Sequence, residues 1–179
     1  MSAHVGTRLT GSEQSMSANP SHARFQAVYE GKPPWDIGRP QKPFVAIADQ
    51  VTGSILDVGC GTGEIALFFA ARGHAVLGID FVDVPIQRAR RKADVRGVRA
   101  DFLQWDALQL DRLNRTFDQV IDCGLFHTLS DEDRIPYVAG LACVTQPGGR
   151  VFLMCFNDEE PGDEGPRRVS QREIRTAFA

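Results

Sequence analysis

Long apolar runs are missing from this sequence. The longest, Ile65–Ala71, falls far short of the roughly 20 apolar residues that a bilayer-spanning helix needs. The amino terminus also has no apolar core of the kind a secretory signal carries. Cysteine is scarce: Cys60, Cys123, Cys143 and Cys155 form neither a Cys-x-x-Cys pair nor a cluster with histidine, so no metal site is expected. Reduced thiols in or beside apolar runs fit a cytoplasmic protein. A surplus of positive charge is lacking too. The 20 Lys and Arg against 23 Asp and Glu leave a formal net charge of -3, which speaks against the broad basic field of a nucleic-acid binder. The partners expected are thus neither membrane nor nucleic acid. No internal repeat is visible, and the pattern alone fixes no oligomeric state.

What is present is enough apolar material, 42% of residues, for one globular core. Residues 1–20 are rich in Ser, Ala, Thr and Gly, and we expect a disordered tail there. Residues 21–48 differ in texture, with Phe25, Tyr29, Trp35 and Phe44 interleaved with Pro33, Pro34, Pro40 and Pro43. The prolines predict a short helix followed by an irregular arm. From about residue 49 onward short β-type runs alternate with helical segments, the pattern of a parallel sheet covered by helices on both faces. The strands are expected at Ser54–Val58, Ala75–Ile79, Val98–Ala100, Phe117–Asp122 and Arg150–Phe156. The helices are expected at Glu64–Arg72, Val84–Ala93, Glu132–Thr145 and Val169–Ala179, the last with a Ser170-x-x-Glu173 capping box.

The strongest signal is Ile55-Leu56-Asp57-Val58-Gly59-Cys60-Gly61-Thr62-Gly63-Glu64, an apolar strand entering a glycine-rich turn that opens a helix. Glycines at alternate positions let the backbone come close to a ligand that side chains would block. A dinucleotide fingerprint reads G-x-G-x-x-G. Here the spacing is G-x-G-x-G, with an acid two residues before the first glycine, which favours a cationic ligand. Asp57 is placed to meet, directly or through water, the ammonium of a methionine-like moiety. Asp80 follows the second strand, where a carboxylate accepts from ribose hydroxyls, or else is a solvated cap. Asp101 follows the predicted third strand. It would accept from an adenine amine with Phe102 packed on the ring, or be a plain turn residue.

The DVGCGTG of Asp57–Gly63, Asp80 and Asp101-Phe102 together resemble the class I S-adenosylmethionine-dependent methyltransferases, over about Phe25–Phe156. The resemblance implies a doubly wound, Rossmann-like α/β fold with a mostly parallel sheet in the order 3-2-1-4-5. It also implies S-adenosylmethionine as cofactor, with S-adenosylhomocysteine as product. Gly59, Cys60, Gly61 and Gly63 would line the methionine end, together with Cys123. Asp80 and Phe81 would meet the ribose, and Asp101 and Phe102 the adenine. Tyr29–Phe44, with Pro34-Trp35-Asp36-Ile37-Gly38-Arg39-Pro40, is similar to the arm of thiopurine and thiol/halide methyltransferases and their bacterial relatives acting on phenols, quinones and heterocycles. Such an arm closes over cofactor and substrate, Trp35 walling the pocket and Arg39 holding a carboxylate or polar acceptor atoms.

After the fourth strand, Asp122-Cys123-Gly124-Leu125-Phe126-His127 lies at the carboxyl edge of an open sheet. It holds no Asn/Asp-Pro-Pro-aromatic motif for gripping a flipped base and no Pro-Cys nucleophile. A small aromatic acceptor lined by Trp35, Leu125 and Phe126 fits better. His127 is the candidate general base for a phenol, thiol or ring nitrogen, or else a histidine that helps close the next helix or packs under the arm. The basic run Arg88–Lys92 reads as the solvated face of an amphipathic helix. The expected reaction is in-line methyl transfer to O, N or S, the alternative being a noncatalytic cofactor-binding module. The carboxy-terminal β-hairpin that the resemblance implies has no sequence counterpart before Ala179.

Overall fold

The run Ile55-Leu56-Asp57-Val58 is buried at all four positions, as a strand covered on both faces requires. In the computed structural model, which describes residues 20–162 and 164–179, it forms β1 (Ile55–Val58), the centre of a five-stranded sheet. Around it lie β2 (Val76–Asp80), β3 (Asp101–Gln104), β4 (Phe117–Cys123) and β5 (Thr145–Met154), all parallel, in the order β3-β2-β1-β4-β5. This is the doubly wound order expected. The tail expected over residues 1–20 lies, apart from Pro20, outside the described residues.

Alternation along each strand feeds two cores. Ile55 and Ile121 join Phe69, Ile86, Ala89 and Phe102 beneath α3 (Glu64–Ala70) and α4 (Asp83–Arg96). Leu56, Val58, Leu77, Ile79 and Val120 join Phe126, Tyr137 and Leu141 beneath α5 (Asp131–Val144). Fully burying each of the large apolar side chains contributes about 1.5–3 kcal/mol, and this two-sided burial is what fixes the sheet's register. The helices begin and end where local chemistry directs. Gly97, at φ 63°, ends α4 by donating to the Ala93 and Asp94 carbonyls. Ser130 caps α5 by accepting from Asp133 N. The Ser170/Glu173 capping box opens α6 (Gln171–Ala177) as expected.

One strand is displaced from its expected place. The segment Val98–Ala100 is a connection, because α4 runs on through Arg96, and pairing of β3 with β2 begins only at Asp101 opposite Leu77. At this sheet edge only Phe102 of the strand is buried, so period-2 alternation leaves a single inward residue to be read. A 3₁₀ segment at Ala107–Leu113, not foreseen from the pattern, follows β3.

Ahead of the sheet, α1 (Pro20–Glu30) ends before Pro33 and Pro34, and a short α2 (Lys42–Ala46) starts with Pro43 in its first turn. Phe44, 2% exposed, fastens α2 to the core beside Ala48 and Val51. As expected, α4 buries Ile86, Ala89 and Ala93 and turns its basic run outward, with Arg90 and Arg91 exposed. Arg88, Arg90, Lys92 and Arg96 all bond groups of the molecule itself, and only Arg91 lacks such a partner among the described residues.

Candidate active site

The turn after β1 uses the left-handed region at each of its alternate glycines: Gly59 at φ 68°, Gly61 at φ 52° and Gly63 at φ 79°. Space is as tight as conformation. A Cβ on Gly63 would stand 2.8 Å from both Ala89 Cβ and the Phe102 ring, and one on Gly61 would stand 2.8 Å from the Tyr29 hydroxyl. The turn is tied to β2 through Cys60 N–H, which donates to the Ile79 carbonyl at 2.8 Å.

Three buried carboxylates stand toward the carboxyl ends of the inner strands. Asp80 accepts from Gly61 N–H at 3.0 Å and from Val82 N–H at 2.9 Å. Asp57 accepts from Ala66 N–H at 3.0 Å, and burial pushes its carboxyl up to about 7, with Asp122 and Asp80 adding to the rise. Asp122 accepts from the Tyr137 hydroxyl at 2.7 Å, from Leu125 N–H at 2.7 Å and from Phe126 N–H at 3.0 Å. Burial still holds it up at about 6. The same burial, with the same carboxylates, drives the Cys60 and Cys123 thiols upward, so both stay protonated and neither is a nucleophile. Carboxylates kept at such a cost suit a cation.

The arm covers this turn. Tyr29 is buried, its phenol pushed up by burial and by Asp80. Trp35 Nε1 donates to the Tyr29 hydroxyl at 3.2 Å. Trp35 meets Tyr29 and Phe25 edge-on, and Phe25 meets Phe81 in the same way with centroids 5.8 Å apart. The aromatic residues of the arm are therefore stacked against the residue that follows Asp80. Arg39 is exposed and has no hydrogen-bond or ion-pair partner among the described residues. A separate concavity of about 430 Å³ between Arg90, Arg99 and Arg115 lies by the start of β2 and β3, the opposite edge from the turn.

Other anticipated residues lie elsewhere. Asp101 pairs at the start of β3, whereas Gln104 is level with Asp80; the structure does not bring Asp101 to the carboxyl edge. The reason is the displaced strand. Phe102 is core, its ring filling the space left by Gly63 and Gly78. Phe126 is 0% exposed, stacked under the Arg134 guanidinium at 4.1 Å and beside Tyr137 and Phe178, so its ring walls no open pocket here. Leu125 does sit at the edge, where a Cβ on Gly59 would lie 3.2 Å from it. His127 accepts from Phe156 N–H at Nδ1 (3.0 Å) and packs on the Phe156 ring; burial lowers it to about 4. Its ring links the turn after β4 to the end of β5.

Two residues escaped the sequence reading. Tyr29 was visible only as one aromatic of the arm. Asp106 follows β3 and accepts from Leu108 N–H at 2.9 Å, while the neighbouring Trp105 N–H donates to the Asp80 carbonyl at 3.0 Å. Asp106 lies two residues beyond the end of β3 and six beyond the end of the strand expected at Val98–Ala100.

A parallel doubly wound sheet, a glycine-rich turn at its central strand and buried carboxylates beside it define a nucleoside-cofactor-binding α/β enzyme of the Rossmann-like class. The match to the methyltransferase-domain family over residues 55–149 narrows this class, and the chain belongs to that family. It is 32% identical over 164 residues to the 2-heptyl-1-hydroxyquinolin-4(1H)-one methyltransferase of Mycobacteroides abscessus, covering 84% of this chain and 72% of that one. A solved protein from the conversion of a disulfide bond into a thioacetal group in echinomycin biosynthesis superimposes with a TM-score of 0.80 at 36% identity, covering 89% of this chain and 78% of that one. The 1,6-didemethyltoxoflavin-N1-methyltransferase of Burkholderia thailandensis shares the fold, with a TM-score of 0.73 at 24% identity over 88% of this chain and 74% of that one. The protein is an S-adenosylmethionine-dependent methyltransferase. No helix among the described residues is long and apolar enough to cross a membrane.

Proposed function

We propose that the methyl acceptor is a small aromatic or heterocyclic molecule presenting an acidic O–H, N–H or S–H group, and that the enzyme works in the cytoplasm. The observation that carries this reading is the likeness to the hydroxyquinolinone methyltransferase over 84% of the chain. Asp57, Gly59, Cys60, Gly61, Gly63 and Cys123 hold the methionine end of the cofactor. Asp80 holds the ribose with Phe81 beside it. The adenine amine falls to Asp106 rather than Asp101, because Asp106 follows the carboxyl end of β3. Tyr29 closes the cleft from above, Trp35 and Leu125 wall the acceptor, and Arg39 offers a free guanidinium to its polar atoms. Phe102 and Phe126 support the site from within the cores.

S-adenosylmethionine supplies an electrophilic methyl on a sulfonium. The chain's contribution is alignment, which yields about 7–11 kcal/mol in favourable cases, and exclusion of water by the arm. His127 acts as a positioning residue for the turn carrying Leu125, since its Nδ1 is engaged by Phe156 and its pKa is low. The acceptor's proton then leaves to solvent, which suits a group already ionised near neutral pH.

Calorimetric titration of S-adenosylmethionine and S-adenosylhomocysteine, with NADH and Asp80→Ala as controls, comes first. A methylation screen follows, in which 2-heptyl-1-hydroxyquinolin-4(1H)-one, phenols, thiols and N-heterocycles are analysed by mass spectrometry. Cofactor binding without transfer to any of these compounds would sink the acceptor reading.

A further inference from the structure

Arg88 and Lys92 lie one turn apart on the same face of α4. The Arg88 guanidinium donates from Nη1 to the Gly31 carbonyl at 2.9 Å and from Nη2 to the Tyr29 carbonyl at 2.8 Å. One planar fork thus satisfies two carbonyls at the end of α1, where helical acceptors have no partner further along the helix. Lys92 Nζ bonds Thr62 Oγ1 and Glu64 Oε1, both at 2.7 Å, and approaches Asp36 Oδ1 at 3.9 Å. Arg96 holds the same Glu64 by two further bonds of 2.9 Å. Trp35 therefore sits between two attachments of the arm to α4, one at Tyr29 and Gly31 before it and one at Asp36 after it. The second attachment shares its ammonium with the glycine-rich turn.

We propose that Arg88 and Lys92 are positioning residues for the cofactor cleft: α4 clamps the arm on both sides of Trp35, and the lifetime of bound cofactor depends on that clamp. This rests on the reading that Tyr29 and Trp35 close the cleft. Neither cation touches the cleft through Tyr29 or Trp35 side-chain atoms. Their effect runs through the Tyr29 and Gly31 carbonyls and the Asp36 carboxylate of the arm, and through Thr62 of the glycine-rich turn and Glu64 at the start of α3. Arg91, exposed and without a partner among the described residues, supplies a control that removes charge from the same helix without touching the arm.

The test measures S-adenosylhomocysteine dissociation by stopped-flow displacement, together with hydrogen exchange of residues 24–41, in the full chain. Arg88→Met is expected to speed dissociation at least about tenfold, the ratio that one lost hydrogen bond to a charged group produces, and Lys92→Met, whose contact with the arm is the 3.9 Å ion pair to Asp36, about threefold. Both are also expected to raise exchange in the arm while leaving α5 unchanged. Arg88→Lys recovers part of the lifetime, because one ammonium cannot serve both carbonyls in the geometry of the fork, and Arg91→Gln behaves as wild type. If the Met variants release the product at the wild-type rate while Tyr29→Phe and Trp35→Ala accelerate release, the arm reading stands and the clamp is overturned. If those two also leave the rate unchanged, the arm reading fails and takes the clamp with it. Weakened binding with unchanged arm exchange would likewise overturn the proposal. Should Arg88→Met not fold, Arg88→Lys and Lys92→Met decide it by the same readouts.

Discussion

Cofactor binding is expected to carry a proton linkage centred on Asp57. In the ligand-free protein burial raises this carboxyl to about 7, so near neutral pH it is close to half protonated. Only the carboxylate form attracts the ammonium of the cofactor, and binding below that pH must expel a proton. The observed Kd then rises by a factor of about 1 + 10^(pKa − pH), roughly tenfold between pH 8 and pH 6, or about 1.4 kcal/mol. Stability of the free protein runs the other way. Because the folded pKa lies above the unfolded value, the folded chain binds more protons between about pH 4 and pH 7, and this group's contribution declines as pH rises through that window. Cofactor-induced thermal stabilisation should accordingly grow from pH 5.5 to pH 7.5. Calorimetry with both S-adenosylmethionine and S-adenosylhomocysteine separates the ammonium, common to the two, from the sulfonium. Equal slopes place the linkage at the ammonium, and Asp57→Asn should flatten both. A Kd independent of pH in the wild type, or a slope that survives in Asp57→Asn, would refute the reasoning.

Asp80→Asn keeps the side-chain shape but loses the charge; replacing two charge-assisted bonds to the ribose with neutral ones should weaken cofactor binding by about 100-fold in calorimetry. Gly78→Ala would set a Cβ 2.8 Å from the Phe102 ring and 2.9 Å from Cys60 Sγ. The expected cost is about 1–3 kcal/mol in urea denaturation, and an unchanged midpoint would contradict the packing. Tyr137→Phe leaves buried Asp122 short of one donor and raises its carboxyl above about 6. The loss, about 1–3 kcal/mol at pH 7.5, should shrink at pH 5, where that carboxyl is protonated in both proteins. His127→Asn should lower kcat/KM without removing an inflection near neutrality, because the wild-type ring is neutral there; disappearance of such an inflection would restore the ring as a base.

The central strands were legible because they are buried on both faces. Ile55–Val58 and Phe117–Asp122 read as apolar runs bounded by turns, and the parallel order followed from the resemblance those runs carry. The glycine turn was legible because three left-handed positions close together leave few residue types available. The edge was not. With one inward residue, β3 offers no alternation, and the apolar Val98 and Ala100 of the preceding connection imitated it. That displacement is why the proposed adenine acid is Asp106 where the sequence pointed to Asp101. Phe126 and His127 illustrate a different limit. Sequence placed both at the right sheet edge, but which way each ring turns depends on Arg134 and Phe156, distant in the chain and unreadable by spacing. The outward turn of the basic run of α4 was legible from Ile86, Ala89 and Ala93, but its partners Tyr29, Gly31 and Glu64 come to it only in the fold.

The three carboxylates around the turn also bear on the choice among adenosine-containing metabolites. Adenosine is shared by ATP, NADH and many other metabolites, so a cleft that recognised only base and ribose would be filled by them. With the ribose at Asp80 as proposed, the field of the buried Asp57, Asp80 and Asp122 reaches whatever extends beyond it. A chain of phosphates encounters repulsion there, and an aminoacyl sulfonium encounters attraction. With the ribose so placed, discrimination against the common nucleotides follows the sign of the charge on the tail as well as its shape.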